Sequence, residues 1–385
     1  MGKKSVAQII ISLILVFNMI INTGCESRDT GNKSVSGTGF YFDTVVSFTV
    51  YGTEDKQIIN ELMAECARYE KMFSPTDTES ELYKLNHGEI NEVSGDLYYC
   101  IQCALDYCEL LDGRYDISIR PVSELWDFHS GSNIVPEKDT LKSALELVDY
   151  NGIKMQEISD DENDTDTTKE TIDEKMSERR FEIILRDGMM LDLGSAAKGY
   201  VADRLCEYLS AKGYRSAIIS LGGNIQCLGG KLGKDGKEEV FKVAVKSPFT
   251  DANIAKDSNA DVSKTDGEVN AVYSDIVLVK DRAVVTSGIY ERCFEKEGKL
   301  YHHILDANTG YPVDNGLASV TVICESGLGA DILSTVLFIA GYDETLNMIG
   351  EMSKINGYRS FEAEFIYKDG TVKRTADFDE YTASK

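Results

Sequence analysis

The chain has 385 residues, of which 42% are hydrophobic, and its formal net charge at pH 7 is −25. The length allows one large or two ordinary domains, and the apolar content predicts globular folding rather than disorder. The negative charge disfavours electrostatic binding to a nucleic-acid backbone, so we expect no nucleic-acid partner.

The first 24 residues have the pattern of an export signal. Two lysines near the start precede an apolar run over 6–21, which is short for a membrane span. Cys25 follows a glycine at the end of this region, in a pattern similar to the lipobox of bacterial lipoproteins, although Asn22 stands where leucine is usual. A plain secretory signal or an uncleaved anchor is the alternative interpretation.

We therefore expect residues 1–24 to be a cleaved lipoprotein signal peptide and Cys25 to be lipidated. The protein would then be exported and anchored by its lipid to the extracytoplasmic face of the cell membrane. Residues 25–38 are rich in Ser, Gly and Thr, a composition that predicts a flexible tether.

After the tether, apolar periodicity predicts interleaved strands and helices. The stretch 42–52 alternates as a half-buried strand, and from about residue 181 strands and helices follow one another. The predicted helices are 54–73, roughly 96–112, 196–212 and about 327–340. We predict one α/β (α+β) domain over 39–385, in which helices pack on mixed sheets.

Two acidic, polar segments near 156–178 and 250–270 interrupt this pattern. Neither can bury enough apolar surface to order itself, so we expect mobile surface insertions.

Three cysteines are closely spaced in the second predicted helix. The C-x2-C-x4-C spacing of Cys100, Cys103 and Cys108 could suggest a metal site. Because apolar residues at helical spacing surround these cysteines, we predict thiols on a helix instead.

The stretch "LDLGSAAKGYVADRL" (191–205) predicts a strand end, a glycine turn and a helix. Asp192 ends the strand, Ser195 is placed to cap the helix, and Lys198 lies in its first turn. A lysine is disfavoured there by the helix dipole unless an anion binds to the free N–H groups. The alternative is an ordinary cap with a surface lysine.

The stretch "GLGADILSTVLF" (327–338) places Asp331, Ser334 and Thr335 at positions i, i+3 and i+4 of a predicted helix. Their oxygens share one helix face. Such oxygen ligands suit Mg²⁺ or Ca²⁺, with phosphates and waters completing the coordination. A plain polar stripe is the alternative.

Seven motifs in this order resemble the ApbE family, the FAD:protein FMN transferases. They are "KMFSPTDTESELYKLN", "GRYDISIRPVSELW", "LDLGSAAKGY", "ISLGGNI", "VVTSGIYERCF", "YHHILDANTGYPV" and "ADILST", spread over 71–335. The resemblance implies a single ApbE-type, T-fold-like domain. It also implies transfer of FMN from FAD, with Mg²⁺, to a Ser or Thr hydroxyl of a partner protein, which releases AMP.

The resemblance also implies roles for individual residues. The implied metal ligands are Asp331, Ser334, Thr335 and the backbone carbonyl of Ser195. The implied FAD contacts are Phe42, Thr76, Arg114, Tyr115, Asp116, Asp192, Lys198 and Leu305. Two positions depart from the family pattern: Ser334 stands where some members have Asp, and Thr76 replaces an aromatic residue.

Two further residues are candidates for the chemistry. His303 could act as the base for the acceptor hydroxyl, hold a phosphate oxygen or protonate the AMP leaving group, since histidine titrates near neutral pH. Arg292 could add positive charge at the phosphates. His302 is one residue away on an extended segment, so we expect it to point to the other side and to be structural.

Acceptors of the family carry a short motif of the type D-x-x-(S/T)-G-A-(S/T). The chain holds no convincing copy, so we expect a separate acceptor flavoprotein as partner. Two alternatives remain open. Attack by water would make the protein an FAD pyrophosphatase that yields FMN and AMP, and a lipid-anchored flavin-binding protein would have no activity at all.

Overall fold

The computed structural model describes residues 33–128, 130–158, 179–232, 238–249, 273–355 and 359–383. Its helices are α1 (Gln57–Phe73), α2 (Glu81–Asn86), α3 (Gly95–Leu110), α4 (Arg120–Trp126), α5 (Lys138–Leu145), α6 (Ala197–Ala211), α7 (Gly327–Ala340) and α8 (Tyr342–Met352). Its strands are β1 (Ser34–Tyr41), β2 (Thr44–Tyr51), β3 (Glu92–Val93), β4 (Lys154–Ile158), β5 (Arg180–Ile184), β6 (Ala217–Leu221), β7 (Asn224–Leu228), β8 (Lys231–Leu232), β9 (Glu238–Glu239), β10 (Phe241–Lys246), β11 (Tyr273–Val279), β12 (Ala283–Gly288), β13 (Cys293–Lys296), β14 (Lys299–His302), β15 (Leu305–Asp306), β16 (Tyr311–Pro312), β17 (Leu317–Cys324), β18 (Phe361–Tyr367) and β19 (Val372–Arg374).

An antiparallel sheet of eight strands organises the fold, in the order β1-β2-β6-β7-β12-β17-β18-β19. Its strand β17 is buried along its whole length, because both faces of the sheet are covered. Val320 and Val322 face the main core, which the helices close, whereas Ile323 faces a smaller core beneath the β10–β11 hairpin. The result is a three-layer arrangement around an antiparallel sheet, and the predicted α/β (α+β) class is confirmed.

Helices α6 and α7 cross in very close contact, and this crossing positions the site. A Cβ atom added to Gly199 in α6 would overlap the carbonyl of Gly327 in α7, and one added to Gly327 would lie 2.6 Å from the oxygen of Gly199. Asp203 of α6 then caps α7, accepting from Gly327 N at 2.6 Å and from Leu328 N at 2.9 Å. The two glycines are therefore required where the helix backbones meet.

The predicted helices agree with α1, α3, α6 and α7 to within a few residues at each end. Helix α3 carries Cys100, Cys103 and Cys108, and all three are free thiols. Within the described parts of the chain, no group of three His, Cys, Asp or Glu side chains could hold a metal ion. The helical interpretation of the cysteine spacing is confirmed.

The tether was predicted too long. Strand β1 begins at Ser34 and pairs with β2 from that residue onward, so 34–38 belong to the domain. Gly37, whose small size suggested flexibility, instead allows α1 to pack closely, because a Cβ there would lie 2.3 Å from Cγ2 of Ile59. Similarly, 156–158 of the first predicted insertion belong to β4.

The remaining predictions of this kind concern residues outside the described ranges. These are the signal peptide over 1–24, the lipidated Cys25, the first part of the tether, and the acidic insertions beyond residue 158 and over 250–270. None of the helices among the described residues is long and apolar enough to cross a membrane.

Candidate functional site

A cleft of about 130 Å³ opens where the β1–β2 turn, the end of α1, the start of α4 and the segment before α6 meet. We call this space the cleft. Four of the predicted FAD or catalytic residues line it: Phe42, Asp192, Lys198 and Arg292. The four come from distant parts of the chain, so the fold itself brings the predicted residues together.

Phe42 reaches the cleft through a strained turn. It forms with Asp43 the two-residue loop between β1 and β2, and both have left-handed backbones, with φ of 53° and 55°. This is the geometry of a type I′ turn, which normally favours glycine or asparagine, so a phenylalanine there is costly. Glu70 of α1 compensates by accepting the Phe42 N–H at 2.7 Å.

Asp192 lies at the base of the cleft and is held in its ionised form. Its carboxylate accepts hydrogen bonds from Ser123 Oγ at 3.0 Å and from Gly194 N at 2.9 Å, and Arg120 Nη1 lies 3.7 Å away. Partial burial by itself would raise the pKa of Asp192. Arg120, the Gly194 N–H and the Ser123 hydroxyl outweigh that effect, so the pKa lies below its ordinary value.

Lys198 is the second residue of α6, as predicted, and its Nζ donates to the carbonyl of Gly194 at 2.7 Å. The short bond folds the lysine back over the start of its own helix. The ammonium group therefore lies at the start of α6 in the wall of the cleft, where it can pair with an anion.

Ser195 does not cap α6 as the sequence suggested. The N-cap is Ala196, which has no side-chain hydrogen bond to the helix. The Ser195 hydroxyl instead lies 3.0 Å from the hydroxyl of the buried Tyr115. The capping prediction was wrong because a turn at Leu193, whose carbonyl accepts from both Ala196 N and Ala197 N, precedes the helix.

His303 and Arg292 lie next to each other, linked by a backbone hydrogen bond from His303 N to Arg292 O at 3.0 Å. Burial, followed by the charges of Arg292 and Lys198 and the neighbouring His302, lowers the pKa of His303 to about 3. Its Nδ1 atom is buried and has no hydrogen-bond partner among the described residues. His303 is thus neutral near pH 7 and has a free nitrogen.

His302 is built into the core on the other side of the segment. Its Nε2 atom lies 3.0 Å from the carbonyl of Val313, and its ring packs edge-on against Phe338. Burial lowers the pKa of His302 to about 4. The expected difference between the two histidines is therefore seen in their surroundings.

One face of α7 carries the oxygen atoms that the sequence predicted as metal ligands. The hydroxyl of a serine from β12, which the sequence analysis did not identify, contacts two of them. Ser287 of β12 lies 2.8 Å from Ser334 Oγ and 3.3 Å from Thr335 Oγ1. Asp331 accepts the Gly199 N–H on its Oδ2 atom at 2.9 Å, and Ser334 Oγ donates to the Asp331 carbonyl at 2.9 Å. We call Asp331, Ser334, Thr335 and Ser287 the oxygen cluster.

The oxygen cluster fits a hard cation. Asp331 supplies one carboxylate, whose Oδ1 atom takes no hydrogen bond from the described residues. The hydroxyls of Ser334 and Thr335 add neutral oxygens on the same helix face. One carboxylate with few neutral oxygens is the usual protein share of a Mg²⁺ site that is completed by phosphates and water.

The remaining predicted FAD contacts lie outside the lining of the cleft. Arg114 forms an ion pair with Glu344, and Leu305 is buried in the cluster around Trp126. Asp116 is also buried and uses its carboxylate to fix the backbone, accepting from Ser118 N at 2.7 Å and from Tyr150 N at 2.9 Å. Thr76 is exposed and lies beside the rim residues Ser74 and Pro75.

Sequence reasoning also missed Arg120 and Glu70. Arg120 stands within the quoted motif "GRYDISIRPVSELW", where a cation next to a proline at a helix start was a visible signal. Glu70 faces Phe42 only because α1 packs against the β1–β2 hairpin. No local pattern marks a contact between residues 28 positions apart.

The cleft and the oxygen cluster are joined at the crossing of α6 and α7, where Gly199 follows Lys198 and donates to Asp331. The ApbE family model matches residues 42–358. An FAD:protein FMN transferase of Klebsiella pneumoniae (strain 342) is 31% identical over 295 residues, covering 76% of this chain and 78% of the relative. One of Treponema pallidum (strain Nichols) is 30% identical over 284 residues, covering 74% and 69%.

Solved structures agree with this relationship. The ApbE protein of Thermotoga maritima superposes with a TM-score of 0.70 at 27% identity, covering 91% of this chain and 99% of the other. The flavin transferase ApbE of Vibrio cholerae, at 21% identity, shares the fold with a TM-score of 0.67. The chain belongs to the ApbE family and is an enzyme of that family, so the family resemblance of the motifs is confirmed.

Proposed function

We propose that the protein transfers FMN from FAD to a Ser or Thr hydroxyl of a separate acceptor flavoprotein and that the transfer depends on Mg²⁺. The acceptor oxygen attacks the phosphorus of the FMN half and forms a phosphoester. The bond from that phosphorus to the bridging oxygen breaks, and AMP leaves with the bridging oxygen.

The hydrogen bond from Gly199 N to Asp331 Oδ2 is the observation that carries the proposal. Gly199 directly follows Lys198, whose ammonium lines the cleft, whereas Asp331 belongs to the oxygen cluster. The bond therefore fixes the helix start that carries the Lys198 ammonium against the helix face that carries the oxygen cluster. A diphosphate needs both kinds of partner when one of its phosphorus atoms is attacked.

Each part of the site has a task in this reaction. Lys198 and Arg292 bind the diphosphate and draw negative charge away from the phosphorus. Asp331, Ser334, Thr335 and the Ser195 carbonyl would hold Mg²⁺, which when bound neutralises and orients the phosphate oxygens. Phosphoryl transfer depends mostly on such positioning and electrostatics, and this chain concentrates both at the crossing of α6 and α7.

His303 is suited to accept the proton of the acceptor hydroxyl. A neutral imidazole next to Arg292, with a ring nitrogen that has no hydrogen-bond partner among the described residues, can supply the proton acceptor that this step requires. Burial lowers the pKa of His303 most, and Arg292 and Lys198 lower it further; the negative diphosphate would offset the charges of these two residues. Substrate binding would thus strengthen His303 as a base at the moment when a base is needed.

The proposal includes the cellular location of the enzyme and of its acceptors. Lipidation at Cys25 would hold the enzyme at the extracytoplasmic face of the membrane, where exported flavoproteins with a D-x-x-(S/T)-G-A-(S/T) motif would be the acceptors. The signal-like sequence before Cys25 and the family of the chain support this location.

The test is an incubation of the protein without residues 1–24 with FAD, Mg²⁺ and an acceptor domain carrying the motif, followed by intact-mass measurement of the acceptor. A mass gain equal to an FMN phosphoester, absent from an acceptor whose motif hydroxyl is replaced by alanine, is the expected result. AMP release without any acceptor would identify a pyrophosphatase instead, and flavin retention without turnover would identify a binding protein.

A further inference from the structure

Arg120 is a largely buried cation in the wall of the cleft that the proposed reaction has not used. It is the first residue of α4, and its side chain is only 12% exposed. Glu124, one turn later in α4, holds one edge of the guanidinium, with Nε and Nη2 each 3.0 Å from Glu124 Oε1. The ion pair orients the group and leaves its other edge toward the cleft.

The other edge makes a looser ion pair, with Asp192. Nη1 of Arg120 lies 3.7 Å from Asp192 Oδ2, which is longer than a hydrogen bond. Ser123 and Gly194 already donate hydrogen bonds to the Asp192 carboxylate. The N–H groups of this guanidinium edge can therefore still donate a hydrogen bond to an anion in the cleft.

Arg120 is not the only cation at the cleft, because Lys198 and Arg292 line the same space. The carboxylates of Asp43, Glu70 and Asp192 line it too, so acidic and basic side chains are equal in number there. The three cations lie close enough together to contact several phosphate oxygens of one ligand.

We propose that Arg120 is a substrate-binding residue, which contacts a phosphate group of the dinucleotide through its Nη1 edge, and that Glu124 is a positioning residue for it. The inference rests on the proposed function, since the ligand is the diphosphate of FAD. Arginine suits this task because its planar fork can hold a carboxylate on one edge and a phosphate on the other.

The test measures ligand binding to the protein without residues 1–24 and compares Arg120→Gln with wild type. Loss of a charge-assisted hydrogen bond to phosphate predicts affinity for FAD and for ADP lower by about 10- to 100-fold. Binding of riboflavin, which lacks phosphate, should not change. Arg186→Gln is the matched control, because Arg186 pairs with Asp149 on the surface and does not line the cleft.

Two more variants protect the test against a folding defect. Arg120→Lys keeps the charge but not the fork, so its FAD affinity should lie between those of wild type and Arg120→Gln. Glu124→Gln should weaken FAD binding only a few-fold, because Arg120 remains but is less well oriented. Circular dichroism and the urea midpoint of each variant show whether the fold is kept.

Equal affinities of Arg120→Gln and wild type for FAD and ADP would overturn the inference. An equal loss of riboflavin binding would overturn it as well, since that would show a structural role. The proposed function fails separately: a wild-type protein that binds FAD but never modifies an acceptor would contradict the transfer reaction and leave the Arg120 contact standing.

Discussion

The cleft and the oxygen cluster lie on either side of the α6–α7 crossing and are built in opposite ways. The cleft is open and collects full charges, those of Lys198, Arg292 and Arg120. The oxygen cluster is less accessible, with Asp331 and Ser334 buried and Ser287 and Thr335 half-buried, and it holds a single charge, that of Asp331, among hydroxyls that bond to each other.

This difference matches two different ligands. A flexible, charged dinucleotide must enter and leave, and so it needs an open cleft with cationic side chains. A small hard cation needs a few fixed oxygens at short distance and gains from a rigid helix face. The comparison predicts that substitutions in the oxygen cluster affect turnover most, whereas those in the cleft affect substrate affinity.

Asp331→Ala should have the largest effect. The variant removes the only carboxylate of the oxygen cluster and leaves the Gly199 N–H without its acceptor. We expect the rate of FMN transfer to fall by about 1,000-fold or more, since the charge that holds the cation is lost. Asp331→Asn separates charge from structure, because the amide can still accept from Gly199. An Asn variant that transfers FMN at the wild-type rate would contradict the assignment.

Gly199→Ala tests the crossing that joins the two regions. The added Cβ would overlap the Gly327 carbonyl, so we expect the free energy of unfolding to fall by about 3 kcal/mol. The matched control is Gly350→Ala in α8, where a Cβ meets no atom within 4 Å. The control should instead stabilise the protein by about 0.5–1 kcal/mol, as alanine favours the helix. Urea unfolding measures both, and equal effects would show that the crossing is not tight.

The buried His302 predicts how stability depends on pH. Its pKa in the folded protein is about 4, below the ordinary value of 6.5, so the unfolded chain binds more protons between those values. The free energy of unfolding should therefore be highest above pH 6.5 and fall as the pH drops toward 4, by up to about 3 kcal/mol for this group.

His302→Gln should flatten that pH dependence, and urea unfolding at several pH values measures the slope. His87→Gln, at an exposed position, is the matched control. The His302 assignment fails if both variants keep the wild-type slope between pH 6.5 and 4.

Ser287→Ala should have the smallest effect. Ser287 contacts Ser334 and Thr335 but was not implied as a ligand, so it orients the oxygens rather than binding the cation. Loss of such an orienting group predicts an apparent Mg²⁺ affinity lower by about tenfold, with little change in the rate at saturating Mg²⁺. A lower rate that excess Mg²⁺ does not restore would place Ser287 in the chemistry itself.

The features that could be predicted from sequence are those with a local period. Apolar spacing predicted α1, α3, α6 and α7, and the i, i+3, i+4 pattern placed Asp331, Ser334 and Thr335 on one face. The family motifs then identified Asp192, Lys198 and Arg292, which the fold brings into one cleft.

The features that were missed depend on contacts between distant residues. Glu70 meets Phe42, Ser287 meets Ser334, and Gly199 meets Asp331 only after the helices have packed on the sheet. Residues 34–38 looked like a tether because glycines in a strand and in a linker are alike in composition. Their packing against α1 becomes visible only in the folded chain.

The ratio of AMP released to FMN attached, measured over a range of acceptor concentrations, tests the central claim most directly. If the cleft and the oxygen cluster together direct the acceptor hydroxyl onto the FMN phosphorus, one AMP should appear for each FMN bound to the acceptor. Both products should disappear in Asp331→Ala. A ratio that stays well above one at saturating acceptor would show that water is the attacking group and would contradict the account.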